Sequence, residues 1–273
     1  MLFTLIEKFG ILSGWALSSF FVFARYAAFA GLAFTVFYIF WRKQFQYARI
    51  QLRFPKATKI RFEIMHSLVT AGVFAGMGVL IYLLHQAGYT RIYREVAQFG
   101  WAYLIISFFV LTIIHDTYFY WMHRLMHHPP FFKVLHRVHH VSNNPTPWAA
   151  LSFHPLEAIV EIAIIPLIVL TVPIHPLALI AFSTWSLSFN ILGHLGFELF
   201  PEGFVKHPFW KWFNTSTHHN MHHSRSNCNY GLYYNFWDRM LGTNAPDYEQ
   251  TFEEVKSRAE IRSAPKPQKT IPI

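Results

Sequence analysis

The sequence predicts an all-α integral membrane protein, a bundle of about four to five transmembrane or re-entrant helices with a cytoplasmic, histidine-rich helical cap. Three observations lead there. Of 273 residues, 53% are hydrophobic and only 14% are charged, where a soluble domain carries about 25% charged residues. Four apolar blocks are long enough to be tested as membrane spans. Of 17 histidines, all but His66 and His85 fall between His115 and His223.

The elements follow in chain order. Tyr26 to Trp41 carries no charge, and the apolar run reaches back to Ile11 if Arg25 is tolerated. The segment that follows holds Arg42, Lys43, Arg49, Arg53, Lys56, Lys59 and Arg61 without an acid. The positive-inside bias assigns it to the cytoplasm. Ile64 to Thr90 and Val96 to Ile114 lack Asp, Glu, Lys and Arg; each suits one span of about 20 residues. The chain then goes out and returns, which leaves Tyr118 onward on the cytoplasmic side. Ile162 to Phe197 is broken by Pro166, Pro173 and Pro176. It reads as two helices joined by a tight turn at "TVPIHP", Thr171 to Pro176, either spanning or forming a shallow hairpin. Asp247 to Ile273 is expected to be a surface helix followed by a mobile tail. Helices of a soluble protein would need more polar partner surface than this chain offers. The N-terminus shows no small-residue cleavage site and is expected to stay in the mature protein.

The formal net charge of +9 suits a surface against anionic lipid. Nucleic acid is not expected as a partner, because the basic residues flank apolar spans. Cys228 is the single cysteine, so there is no intramolecular disulfide and no zinc-finger chemistry.

The histidines recur in three groups: "HRLMHH" (His123, His127, His128), "HRVHH" (His136, His139, His140) and "HHNMHH" (His218, His219, His222, His223). On a helix, positions i, i+3 and i+4 share a face. His123 and His127 are i, i+4, while His136/His139/His140 and His219/His222/His223 repeat i, i+3, i+4. Three segments can therefore each aim two or three imidazoles at a common point. Neutral imidazole is a ligand for iron, zinc, copper or nickel. The set exceeds the needs of one tetrahedral zinc and suits two ions with open positions. A single histidine on an apolar face is ordinarily a hydrogen-bonded core residue, but chance packing does not produce this spacing twice beside an i, i+4 pair. His175 and His207, each followed by proline, read as structural.

At these residues the chain resembles the fatty acid hydroxylase and sterol desaturase superfamily. The resemblance covers roughly Ile113 to Thr243. It rests on "HDTYFYWMHRLMHHPPFFKVLHRVHH", "SFHPLEA", "NILGHLGFE" and "THHNMHHSRSNCNYGLYYNFWDRMLGT". It implies a membrane-bound non-haem oxygenase with two iron ions, replaced by zinc on overexpression. Such an enzyme uses O2 to hydroxylate or desaturate a lipid C–H bond. Ligand roles carry over to His123, His127 or His128, His136, His139, His140, His219, His222 and His223. A further pair in the penultimate span of some members reads Asn190 and His194 here, so His194 is a ligand candidate and Asn190 departs from the pattern. His154 or His218 could supply a replacement. Asp116, Glu157, Glu198 and Asp238 are expected to accept protons from the far nitrogens of ligand imidazoles; Asp238 could instead pair with arginine and cap a surface helix.

The implied organisation is a membrane and basic-loop part over 1–114, a catalytic domain over 115–243 and a polar tail over 244–273. The lipid would enter from the bilayer. A separate donor, cytochrome b5-like or a ferredoxin with its reductase, would supply electrons to the cytoplasmic face of a multi-pass protein of the bacterial inner membrane or endoplasmic reticulum. Two other classes compete. A membrane metal transporter or store would want ionisable residues along a mid-span path, whereas these histidines follow the spans. A zinc-dependent membrane hydrolase would need fewer ligands and a general base.

Overall fold

Run length of apolar residues decides the first half of the chain. The computed structural model, which describes residues 2–263, turns each run into a helix. A short helix α1 (Leu2–Phe9) turns at Gly10 into α2 (Ile11–Phe34), which continues as a π turn over Thr35–Phe40. The result is one apolar rod of 30 residues. Arg25 is tolerated inside it because its Nη1 donates to Ser183 Oγ at 2.9 Å.

Helices α3 (Ala57–Gln86) and α4 (Gly100–Met126) follow. At 30 and 27 residues they are also long and apolar enough to cross a membrane. A span needs about 20 residues, so α4 has roughly 10 Å of helix to spare. His123 lies in the last turn of α4, at the end of that surplus. Large side chains such as Phe20, Leu32, Trp101, Ile105 and Phe109 lie exposed on these rods, as a lipid-facing surface requires. Small residues, Ala30, Ala71 and Ala75, are buried between them.

Proline punctuates the second half. The short α5 (Pro129–Phe131), a π turn over Phe132–His136 and α6 (Arg137–His140) carry the second histidine group. Then come α7 (Pro155–Ile162), α8 (Ile164–Thr171) and α9 (Pro176–Gly193). The turn between Thr171 and Pro176 falls where the prolines place it. Of the two halves it joins, α9 alone reaches spanning length, at 18 residues. The eight-residue α8 instead continues α7 into the bundle, where Ile164, Ile168 and Val169 pack with Leu111, Phe119 and Phe182.

Helix α10 (Ser216–Arg225) bears the third histidine group, followed by α11 (Phe236–Met240) and α12 (Tyr248–Ser263). This last helix lies at the surface with one face buried and Gln250, Glu254 and Ser257 exposed. Tyr248, Phe252 and Val255 form a buried i, i+4, i+7 stripe, of which Tyr248 and Phe252 pack in the cluster of Phe204, Val205 and Met221. The acidic and basic residues between them hid the stripe from a composition-based reading. The tail expected beyond it lies outside the described residues. Among the described residues there is no strand, only isolated bridges such as Arg49 with Phe197.

The basic segment is anchored rather than loose. Arg49 is 1% exposed. Its Nε donates to Gln51 O at 3.0 Å and its Nη2 to Arg53 O at 2.8 Å. Its guanidinium also lies 3.7 Å from the Phe54 ring centroid. Arg49→Ala removes both bonds and strands two carbonyls, at a cost of about 2 kcal/mol. Trypsin should then cut at Arg53 and Lys56 several-fold faster than in the parent protein in detergent. Equal cleavage rates would contradict this anchoring role.

Candidate metal centre

Each histidine group rides on a helix end, and helical rotation decides where its rings go. Consecutive residues are 100° apart around a helix and i, i+4 residues only 40° apart. A helix wedged between two points can therefore serve both. The structure does this twice. His136 and His140 face one point and His139 the other, while His219 and His223 face the second point and His222 the first. The i, i+3, i+4 triplets thus divide between two foci instead of meeting at a common one. Helix α4 gives His123 and His127 to the first, and His194, at the end of α9, joins the second.

The first focus gathers His123, His127, His136, His140 and His222, the second His139, His194, His219 and His223; within each, the candidate atoms all lie within 4.8 Å of one another. Neighbouring Nε2 atoms are closer. His123 to His136 is 3.0 Å, His136 to His140 3.2 Å, His140 to His222 3.0 Å and His222 to His127 3.1 Å. In the second group His194 stands 3.0 Å from His219, 3.1 Å from His223 and 3.3 Å from His139.

The opposite ring nitrogens explain why these contacts fit a cation. His123 Nδ1 donates to Tyr230 O at 2.8 Å, His222 Nδ1 to Cys228 O at 2.7 Å and His194 Nδ1 to Asn190 O at 2.8 Å. His136 Nδ1 donates to Glu157 Oε1 at 2.6 Å, and His139 Nδ1 to Ser152 O at 3.3 Å. A carbonyl or carboxylate acceptor pins the proton on Nδ1 and leaves a lone pair on Nε2. Lone pairs aimed at one another repel unless a cation lies between them. Two nitrogens at right angles and each about 2.1 Å from one ion are roughly 3 Å apart. The donor set suits iron, zinc, copper or nickel.

Burial keeps the rings neutral. Desolvation, reinforced by neighbouring imidazoles, holds His136, His139, His219, His222 and His223 well below the usual imidazole range. His140 is lowered to about 3, again first by burial. Neutral imidazole is the ligating form.

The remaining candidates fall elsewhere. His128 is exposed and starts α5, so His127 rather than His128 joins the first focus. His154 Nδ1 accepts from Leu156 N at 3.3 Å, as the cap of α7. His175 and His207 accept backbone N–H groups two residues ahead in the same way. All four precede proline, which forces them into extended backbone and ends any helical register with the ligand sets. His218 lies 3.4 Å from Asp238 Oδ2, both fully buried. Asn190 donates from its amide to Ala150 O at 2.7 Å and adds nothing to the second focus directly.

Of the four acids expected to orient imidazoles of the two foci, only Glu157 does so. The other three spend their lone pairs on the loops that carry the third group. Asp116 Oδ1 accepts from Tyr233 N at 2.7 Å. Glu198 Oε2 accepts from Thr217 N at 2.9 Å and Thr217 Oγ1 at 2.7 Å, at the start of α10. Asp238 is not a surface cap: it is buried and accepts from Tyr230 N at 2.9 Å and Gly231 N at 2.7 Å. Burial alone would raise its carboxyl, but His218, Thr243 and Gly231 hold it below the usual carboxylate value. Gly231 is required here, since a Cβ would sit 2.7 Å from Tyr234 O. The carbonyls of Tyr230, Cys228 and Ser152 carry no sequence signal, because any residue supplies one. Ser226, in left-handed backbone at φ 63°, reaches His140 Nδ1 at 3.0 Å.

An apolar cavity of about 220 Å³ opens beside both foci. One wall residue, Phe119, packs on His123 with ring centroids 4.9 Å apart; another, Phe153, packs on His139 at 5.1 Å. Leu151, Phe182, Leu187 and Leu232 complete most of the apolar lining.

Two expectations follow. Neighbours on one helix turn should report on different ions: His222→Ala and His223→Ala should each halve the metal content, and the double variant should hold close to none, as measured by elemental analysis. Loss of both ions from either single variant would contradict two foci. Second, unfolded imidazoles titrate near about 6.5 and the folded ones lower, so as pH falls the unfolded state takes up protons first. Stability is therefore fully present above about 6.5 and is lost as pH falls below it. The thermal midpoint of the chelated protein should drop between pH 6.5 and 5.5; a flat profile would contradict the buried neutral set.

Comparison with known proteins agrees with this geometry. The sequence model of the fatty acid hydroxylase family matches residues 108–243. The Delta(7)-sterol 5(6)-desaturase ERG3B of Gibberella zeae is 28% identical over 211 residues, which are 75% of this chain and 62% of that protein. Lathosterol oxidase of Rattus norvegicus is 30% identical over 207 residues, 73% of this chain and 66% of that protein. Lathosterol oxidase of Homo sapiens is 28% identical over 191 residues, with 68% and 61% covered. The matches span a little under two thirds of the length of these relatives. No solved structure matches the chain. With its histidine groups inside the matched region and four helices apt for the bilayer, the chain belongs to the fatty acid hydroxylase and sterol desaturase superfamily.

Proposed function

We propose that this protein is an O2-dependent oxidoreductase that hydroxylates or desaturates a C–H bond of a lipid drawn from the bilayer, at a centre of two iron ions. One observation carries the reading: an apolar cavity packs, through Phe119 and Phe153, against both histidine foci. A hydrolase has no use for two nitrogen-only sites beside a greasy cavity, and a transporter has no use for foci gathered at the helix ends.

His123, His127, His136, His140 and His222 would hold one iron, and His139, His194, His219 and His223 the other. Iron, when bound, would supply the redox chemistry that cleaves O2 and oxidises an unactivated methylene, which no acid or base in the chain can do. The protein's own residues orient and insulate. Glu157 and backbone carbonyls fix the Nδ1 protons of His123, His136, His139, His194 and His222, so that their Nε2 atoms would be ligands rather than proton donors. The rings of Phe119 and Phe153 bring the lipid chain against the ligand histidines and exclude water. Residues 115–243 would be the catalytic domain, with 1–114 supplying the other spans and 244–273 a C-terminal extension.

The basic segment Arg42 to Arg61 and the exposed Arg124, Lys133 and Arg137 adjoin the histidine helices. These charges favour a cytoplasmic face and would attract an acidic electron donor, cytochrome b5-like or a ferredoxin. Sterol is the first substrate to test, given what the relatives are named for; a fatty or alkyl chain is the second.

Purified anaerobically, the protein should carry two irons per chain at full occupancy. With a chemical reductant it should consume O2 in proportion to added lipid. Fewer than two metals, or O2 uptake indifferent to lipid, would sink the proposal. Lipid profiles of a host making the intact protein should contain a product absent with His139→Ala.

A further inference from the structure

The walls of the cavity are apolar except for a few groups, and their hydrogen-bonding roles are unbalanced. Tyr26 donates its hydroxyl to Trp148 O. His115 Nδ1 and Tyr233 Oη satisfy one another at 3.2 Å. Ser183 donates to Ile180 O and accepts from Arg25. Two groups with unspent acceptor oxygens stand out. Glu161 lines the cavity, and among the described residues its carboxyl has neither a hydrogen bond nor an ion pair. Asn190 also lines it; its amide nitrogen is committed to Ala150 O, and its Oδ1 receives nothing.

Their positions matter. Glu161 stands one helical turn beyond Glu157, the acceptor of His136, and Asn190 stands one turn before His194. Both line the cavity that Phe119 and Phe153 also line. Ser183, with Arg25 on it, lies seven positions earlier than Asn190 on α9, about 10 Å deeper. Glu161 and Asn190 therefore offer unspent acceptor oxygens to the cavity. A carboxyl on an apolar wall calls for a partner.

We propose that Glu161, seconded by Asn190, receives the hydroxyl hydrogen of a lipid alcohol and thereby selects the substrate and sets which carbon faces the foci. This rests on the reading of the cavity as the lipid site, and it goes further by naming the polar group. Glu161 is a positioning residue that does not touch the metals. It discriminates against a lipid without an O–H. Two sources share this chemistry, a sterol and a long-chain alcohol.

The test uses full-length protein loaded with zinc and held in nanodiscs, so that binding is read without turnover. The probes are a radiolabelled sterol, its methyl ether, hexadecanol and hexadecyl methyl ether. One alcohol should bind about tenfold tighter than its own ether, the usual worth of a hydrogen bond to a carboxylate. Which alcohol shows the preference identifies the source. Glu161→Leu should bring that ratio to about one while leaving ether binding and metal content unchanged. Glu161→Gln, which keeps an acceptor oxygen, should retain part of the ratio. Equal binding of alcohol and ether by the parent protein, as water at Glu161 would give, overturns the proposal. So does a ratio that survives Glu161→Leu, or no binding by any probe. An alcohol preference without O2 consumption would support this assignment while sinking the oxygenase reading.

Discussion

Nine imidazoles, seven buried and two half-buried, aimed at two points are the constraint on which the rest of this structure depends. Neutral rings, five of them with an acceptor holding the proton on Nδ1, face one another at about the spacing of ligands around a common ion. Without positive charge at each focus that arrangement is unfavourable. With it, four separate parts of the chain, α4, α6, the end of α9 and α10, are tied together. Metal binding and folding of the cap are in this sense one process.

Around that constraint the polar groups divide their labour. Glu157 and a set of main-chain carbonyls orient rings. Asp116, Glu198 and Asp238 instead hold the loops from which α10 and its following turn are hung. Buried carboxylates are costly unless satisfied, and each of these is satisfied by backbone N–H groups whose own burial would otherwise be costly. The foci themselves carry no carboxylate, so bound cations would keep their charge, offset only through rings such as His136.

The bilayer explains the remaining asymmetry. Long helices place large apolar side chains outward and small ones between helices, and α4, longer than a span needs, carries His123 in its last turn. The cavity lies between the two apolar clusters that α2, α7, α8 and α9 build. Its walls Phe119 and Phe153 pack on His123 and His139. Glu161 and Arg25 are exceptions on this apolar surface, and each marks a place where chemistry outweighs solvation cost.

Much of this was legible in the sequence. Run length and charge gave the spanning helices, prolines gave the turn before α9, and histidine spacing gave the three contributing segments. Even the outliers had a local signal: His128, His154, His175 and His207 all precede proline, and a residue held extended by proline cannot share a helical face with a ligand set. The i, i+4 pairs His123/His127, His136/His140 and His219/His223 each serve one focus because helical period is a property of the chain alone. What the sequence could not decide was the division of His139 and His222 to the opposite focus, the roles of the acids, and the buried face of α12. Those depend on which element lies across from which ring, and on main-chain carbonyls that every residue possesses. Such partners are chosen by packing between distant segments, and only the tertiary structure brings them together.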